Sequence, residues 1–238
     1  MVITIHNLNK SYGSHHVLND VSLEIPKNCL FALLGPNGSG KTTALKSILG
    51  NVLPQPGSQI IIDGHNTIGK YHYKHLIGYM PQATRYPPHL RVDELITLLK
   101  RLRKQPTPLL DRLVEELQIA PFWKKKLGAL SGGMAQKVNI LQCFMFDPKV
   151  AVLDEPTQSL DPQVSYILKR FLKEYRTSGK TIVFTSHVMS EVQELADLMA
   201  LMVDGRVYTV TSPQKLMIDN SVQSLEEALH QFWTHEAT

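Results

Sequence analysis

The stretch Gly35-Pro36-Asn37-Gly38-Ser39-Gly40-Lys41-Thr42 carries the most specific chemistry in the chain. A glycine, four residues, a glycine, a lysine and a hydroxyl residue make a loop whose backbone N–H groups turn inward around phosphate oxygens. In such a loop Lys41 reaches the β- and γ-phosphates of a nucleotide, and the Thr42 hydroxyl, with Thr43 beside it, meets Mg²⁺. The apolar run "CLFALL" precedes the loop and the helix-like "KTTALKSILG" follows it. A strand before and a helix after distinguish a phosphate loop from a glycine turn with an accidental lysine.

Residues 151–156, "AVLDEP", read as an apolar strand ending in two acids. Asp154 at the strand end suits the Mg²⁺ shell, and Glu155 is placed to polarise an attacking water. Acids also end strands simply to solvate a sheet edge; the phosphate loop tips the reading toward chemistry. His187, in "VFTSHV", follows another apolar strand, on the side of the sheet where ligands bind. It could contact the γ-phosphate or orient the water. Gln82, in "IGYMPQ", ends one more strand and could touch the metal or the water, or be a plain polar loop residue. Tyr12, in "KSYGS", either stacks on a base or ends a strand half-buried.

A second glycine-bearing loop, "LSGGMAQKV" at residues 130–138, also runs into a helix. Ser131, Gly132 and Gly133 offer a hydroxyl and backbone donors at a helix N-terminus, without a lysine or a metal-binding threonine. A partial grip of this kind makes sense if it meets the nucleotide from the other side, on a second copy of the chain. ATP would then join two chains and its hydrolysis release them. A helix cap built on glycines is the alternative.

These residues need elements to position them. "MVITIHNL" and "VLNDVSLEI" alternate as strands, and "SQIIIDGHN" is a strand stopped at Asp63-Gly64. From about Val92 to Lys126 the pattern turns helical: "VDELITLLKRLR" and "PLLDRLVEELQI", broken apart by Pro106 and Pro108. "VAVLD" and "KTIVFTS" are short buried strands. Asp161-Pro162 caps and opens the helix "QVSYILKRFLKEYRTSG", and "MSEVQELA" is another. "LMALMVDGRVYTV" is a hairpin turning at Asp204-Gly205. Ser212-Pro213 caps a further helix, and Ser224 with Glu227 forms a capping box before "ALHQFW". Strands alternating with helices predict an α/β core with a mainly parallel sheet.

Bulk properties agree. At 238 residues the chain suits one core with a sizeable insertion. Hydrophobic content of 43% and charged content of 19% exclude general disorder. A net charge of +4 is too small to indicate a nucleic-acid partner. Cys29 and Cys143 both lie in apolar runs and read as buried, reduced thiols. No basic-then-apolar export signal opens the sequence and no run of 18 apolar residues occurs, so work at a membrane would need another chain to span it.

The ordered set resembles the ATP-binding cassette ATPases over essentially the whole chain. "GPNGSGKT" resembles the Walker A loop, Gln82 the Q-loop glutamine, "LSGGM" the family signature, and "AVLDEP" Walker B with its catalytic glutamate. Residues 159–161, "SLD", resemble the D-loop, which ends at Asp161; His187 resembles the switch histidine and Tyr12 the adenine-stacking aromatic. The resemblance implies a P-loop NTPase core with an N-terminal antiparallel β-subdomain. It implies one nucleotide-binding domain over 1–238, a helical subdomain near 83–149, and C-terminal strand and helices over 205–238. It also implies ATP and Mg²⁺, a head-to-tail homodimer, and a membrane permease met on the cytoplasmic face. Met134 and Ser159 depart from the usual signature Gln and D-loop Gly; neither removes a phosphate donor, so both are expected to tune turnover, not abolish it.

Residues 77–103, "IGYMPQATRYPPHLRVDELITLLKRLR", and 131–148, "SGGMAQKVNILQCFMFDP", are similar to a narrower group. These are the ATPases of the transporter that matures nitrous-oxide reductase, a copper enzyme outside the cytoplasm. That likeness implies an accessory protein outside the cytoplasm. The alternatives are an export-type cassette for another substrate and a soluble, non-transport cassette. The segment between Gln82 and Ser131 has no sustained heptads, unlike the coiled-coil cassettes that act on DNA.

Overall fold

The computed structural model describes residues 1–82, 86–158 and 160–236. The first layer is an antiparallel sheet. β1 (Ile3–Tyr12) lies between β2 (His15–Ile25) and β4 (Gln59–Ile62), and β5 (His65–Asn66) pairs on the outer side of β4. Asp63 and Gly64 turn β4 into β5 with φ of 48° and 81°, the left-handed pair of a tight hairpin.

The second sheet carries the site. Its order is β10-β9-β3-β8-β7-β6, with β3 (Leu30–Leu34), β6 (Ile77–Met80), β7 (Val150–Asp154), β8 (Thr181–Thr185) and β9 (Leu198–Val203) parallel. β10 (Arg206–Thr211) closes the edge antiparallel to β9. The apolar runs seen in the sequence follow from burial on both faces. Leu30, Ala32 and Leu34 of β3 point into one core with Ala151, Leu153, Ile182 and Phe184. Phe31 and Leu33 point into the other, with Val150, Val152 and Val183.

One face packs on the antiparallel sheet and on α1 (Lys41–Ile48). The opposite core gathers α2 (Val92–Arg103), α3 (Leu110–Glu116), α4 (Gly132–Phe144), α5 (Pro162–Thr177), α6 (Met189–Leu195), α7 (Pro213–Asp219) and α8 (Leu225–Glu236). The helical middle therefore shares its core with the sheet. The predicted caps form. Asp161 Oδ1 accepts from Val164 N–H at 2.9 Å and Ser212 Oγ from Lys215 N–H at 3.1 Å. Ser224 Oγ accepts from Glu227 N–H at 3.2 Å, which is half of the expected box. Cys29 and Cys143 are buried free thiols.

Candidate active site

β3 ends at Leu34 and the chain turns over the sheet before α1 begins at Lys41. Two glycines make that turn possible. A Cβ on Gly35 would sit 2.1 Å from the Met202 carbonyl oxygen. Gly40 has φ 97°, and a Cβ there would lie 2.8 Å from the Val17 carbonyl oxygen. Pro36, Asn37 and Gly38 are exposed, whereas Ser39 is buried and its Oγ has no hydrogen-bond partner among the described residues. Lys41 Nζ folds back and donates to the carbonyls of Gly35 at 2.8 Å and Pro36 at 2.9 Å. Burial lowers the Lys41 pKa, and the nearby carboxylates of Glu155 and Asp154 oppose that shift. A loop with a buried unpartnered hydroxyl and an ammonium bonded to neutral carbonyls fits an anionic oxygen ligand.

The acids stand where β7 ends. Thr185, paired with Asp154 across β7 and β8, donates its hydroxyl to Asp154 Oδ1 at 2.7 Å. The same hydroxyl oxygen accepts from Glu155 N–H at 3.1 Å. Glu155 has a left-handed backbone, φ 53°, and is only 7% exposed. His187 follows β8 and meets both oxygens of that carboxylate. Its Nε2 lies 3.1 Å from Oε1 and its N–H donates to Oε2 at 3.4 Å. Burial raises the Glu155 pKa, with His187 opposing.

One cleft of about 360 Å³ gathers these groups: Asn37, Gly38, Gly40, Lys41, Thr42, Thr43, Gln82, Asp154, Glu155 and His187. Two further lining residues, Val17 and Thr185, were not apparent in the sequence. Thr42, Gln82 and Asp154 each carry a side-chain oxygen and line the cleft, a set that suits a hard cation keeping waters and phosphate oxygens as its other ligands.

The family model for "ABC transporter" matches residues 18–158. The Nod factor export ATP-binding protein I of Ralstonia nicotianae is 32% identical over 221 residues, 91% of this chain and 68% of that protein. The lipopolysaccharide export system ATP-binding protein LptB of Haemophilus influenzae is 32% identical over 230 residues, 93% of this chain and 95% of that protein. The chain belongs to the ABC transporter ATPases. A dimeric bacterial ABC transporter cassette superposes with TM-score 0.76 at 25% identity, covering 88% of this chain and 98% of that one. This cassette is an ATP-binding, ATP-hydrolysing subunit. Among the described residues no helix is long and apolar enough to cross a membrane.

Other sequence-derived residues of the cassette stand apart from the cleft. Ser131 is exposed and caps α4, its Oγ accepting from Met134 N–H at 3.3 Å, and Gly132 and Gly133 follow it. None of the three lines the cleft, and neither does Asp161, which caps α5. Ser159 lies outside the described residues, as do residues 83–85. Tyr12 ends β1, 52% exposed, with Lys10 Nζ 5.2 Å from its ring centroid; it too lies outside the cleft lining.

Two other hollows lie on the cassette, the first sharing Asn37 and His187 with the cleft. One, of about 320 Å³, sets Pro36, Asn37 and His187 opposite Glu226, Leu229 and Trp233 of α8. The sequence had given no hint that the C-terminal helix approaches the histidine. The other is a groove of about 290 Å³ where β6, α2 and α4 meet, lined by Leu49, Lys74, Tyr79, Leu99, Arg103, Gln142 and Phe146 among others. Arg103 Nη2 donates to the carbonyls of Ile77 at 2.7 Å and Lys74 at 3.2 Å, and its guanidinium lies 4.8 Å from the Phe146 ring centroid. The end of α2 is thereby tied to the strand that leads to Gln82.

Proposed function

We propose that the cassette powers a membrane transporter through ATP-driven dimerisation. One observation carries this reading: a single cleft holds the phosphate loop, both acids, Gln82 and His187, while the exposed Ser131–Gly133 helix start lies outside it. A second copy, head to tail, would bring its own Ser131, Gly132 and Gly133 against the first copy's bound ATP. The dimeric cassette of the same fold supports the pairing of two copies.

Residue by residue, Lys41 and the loop amides between Gly35 and Thr43 hold the phosphates. Thr42, Asp154 and Gln82 would hold Mg²⁺, which when bound neutralises charge on the β- and γ-phosphate oxygens. Glu155 orients and polarises the attacking water. His187 positions Glu155 and takes over contact with the γ-phosphate. Tyr12 stacks on the base from the end of β1. Asp161 lies on the partner-facing side, beyond its cap on α5. The helical subdomain near 83–149 meets a permease, and the groove at Arg103 and Phe146 receives a cytoplasmic segment of it. The half-apolar lining and the tie to the Gln82 strand suit that role. The cassette would then sit on the cytoplasmic face of the membrane.

The export names of two relatives support an exporter. Service to the transporter that matures nitrous-oxide reductase, with an accessory protein outside the cytoplasm, rests only on the likeness of residues 77–103 and 131–148. Co-purification from gently solubilised native membranes tests the reading. A permease with a secreted partner of the nitrous-oxide reductase system supports the narrow version. A permease with other neighbours keeps the transporter and discards the copper link. Ribosomes or DNA in place of a permease would overturn it.

A further inference from the structure

Helix α4 carries three amide side chains at every third position, Gln136, Asn139 and Gln142, on one face. Its remaining buried positions are Val138, Ile140, Leu141, Cys143 and Phe144. Gln136 is 5% exposed and Asn139 2%, so each amide must be bonded or its burial is costly.

They bond to one another in one direction. Asn139 Oδ1 accepts from the Tyr86 hydroxyl and, at 3.4 Å, from Gln142 Nε2. Asn139 Nδ2 donates to Gln136 Oε1 at 2.9 Å. Gln136 Nε2 donates to the Pro156 carbonyl at 3.4 Å. Asn139 and Gln136 each accept on the side of the groove and donate on the side of the acids, and aligned dipoles of this kind strengthen one another. Gln142 itself lines the groove at Arg103 and Phe146. At the other end, Pro156 directly follows Glu155.

We propose that Gln136 and Asn139 are positioning residues for Glu155, and that they tie its turn to the groove side of the cassette. The inference rests on the reading of Glu155 as the residue that polarises water. Glu155 stands in a left-handed conformation, which persists only where its surroundings hold it. Thr185 holds its N–H on one side, and Gln136 holds the next residue's carbonyl on the other. An apolar face on α4 would fill the same space with no polar groups to satisfy, so packing alone does not call for the amides.

ATP turnover by the purified full chain tests this. Gln136→Met and Asn139→Leu are each expected to lower kcat about tenfold with the KM for ATP within about twofold, as misplacement of a catalytic group does. The double variant should lose no more than about the larger single loss, because both act through one chain of bonds. Wild-type kcat in either single variant overturns the proposal, as do losses that multiply in the double. A parallel rise in KM with the fall in kcat also overturns it, since that marks general damage to the site. Glu155→Gln measured alongside separates the two readings. If it is inactive while Gln136→Met matches wild type, the relay alone fails. If Glu155→Gln still turns over, the role of Glu155 fails first and the relay with it.

Discussion

His187 meets both carboxylate oxygens of Glu155, one through Nε2 at 3.1 Å and the other through its backbone N–H at 3.4 Å. The carboxylate is thereby aimed by the strand that follows it in the sheet, not by its own strand alone. If Glu155 polarises the attacking water as proposed, these contacts would fix where its carboxylate meets that water. Glu155→Gln keeps the size of the side chain but leaves a single accepting oxygen, and it removes the proposed base. It is expected to bind ATP, to form the dimer, and to turn over at least about 100-fold more slowly than wild type. Size-exclusion chromatography with ATP, beside a phosphate-release assay, checks both halves of that expectation.

The burial of Glu155 has a consequence for stability against pH. Burial raises its pKa above the ordinary 4.5, with His187 opposing. A carboxyl whose pKa is raised in the fold favours the native state while protonated. That contribution is full below the unfolded value and is lost as pH rises through the folded one. The neutral amide of Glu155→Gln escapes the loss. Its melting temperature should exceed that of wild type at pH 7, and the gap should narrow toward acid. Thermal unfolding at the two pH values, without nucleotide, measures it; a gap that widens toward acid would contradict the burial argument.

Gly40 closes the phosphate loop against β2. Its φ of 97° and the Val17 carbonyl 2.8 Å from a would-be Cβ leave no room for a side chain. Gly40→Ala should cost on the order of 1–3 kcal/mol of stability from the backbone conformation alone. It should also lose ATP binding, because the amides that face the phosphates would shift with the loop. Denaturant unfolding and nucleotide-binding titrations report the two effects separately.

Much of this was legible in the sequence because it is local. The runs "CLFALL", "VAVLD" and "KTIVFTS" could only be strands buried on both faces, and each became a central strand of the parallel sheet. Asp204 and Gly205 took φ of 46° and 75°, as a tight hairpin requires. What could not be read was contact between residues distant in sequence. Thr185 shows no special pattern, yet its hydroxyl links Asp154 to Glu155 because β8 lies beside β7. Val17 lines the cleft because β2 runs under Gly40. Trp233 reaches the hollow beside His187 only because α8 packs on α6. The amides of α4 stand at every third position in plain view, but the direction in which they bond depends on Tyr86 and Pro156, which the chain brings from either side.

The placement of Ser131 outside the cleft makes a complementation experiment decisive for the head-to-tail dimer. In such a dimer each site takes its phosphate loop from one copy and its Ser131–Gly133 loop from the other. Lys41→Ala spoils the first contribution and Ser131→Arg the second, so either variant alone should be inactive. In a mixture, each mixed dimer has one site built from an intact phosphate loop and an intact second loop. Random pairing makes half the dimers mixed, with one sound site of two, so turnover should recover to about a quarter of wild type. Ser131 is exposed, and loss of its cap costs only about 1 kcal/mol, so the variant should remain folded. Titrating one variant into the other at constant total protein gives a maximum at equal amounts if the sites are shared. A flat baseline at every ratio, with both variants still folded, would mean that each chain hydrolyses ATP without borrowing Ser131 from a partner or that one sound site cannot turn over beside a spoiled one. Wild-type turnover that stays constant per chain on dilution below the dimerisation range would identify the first case.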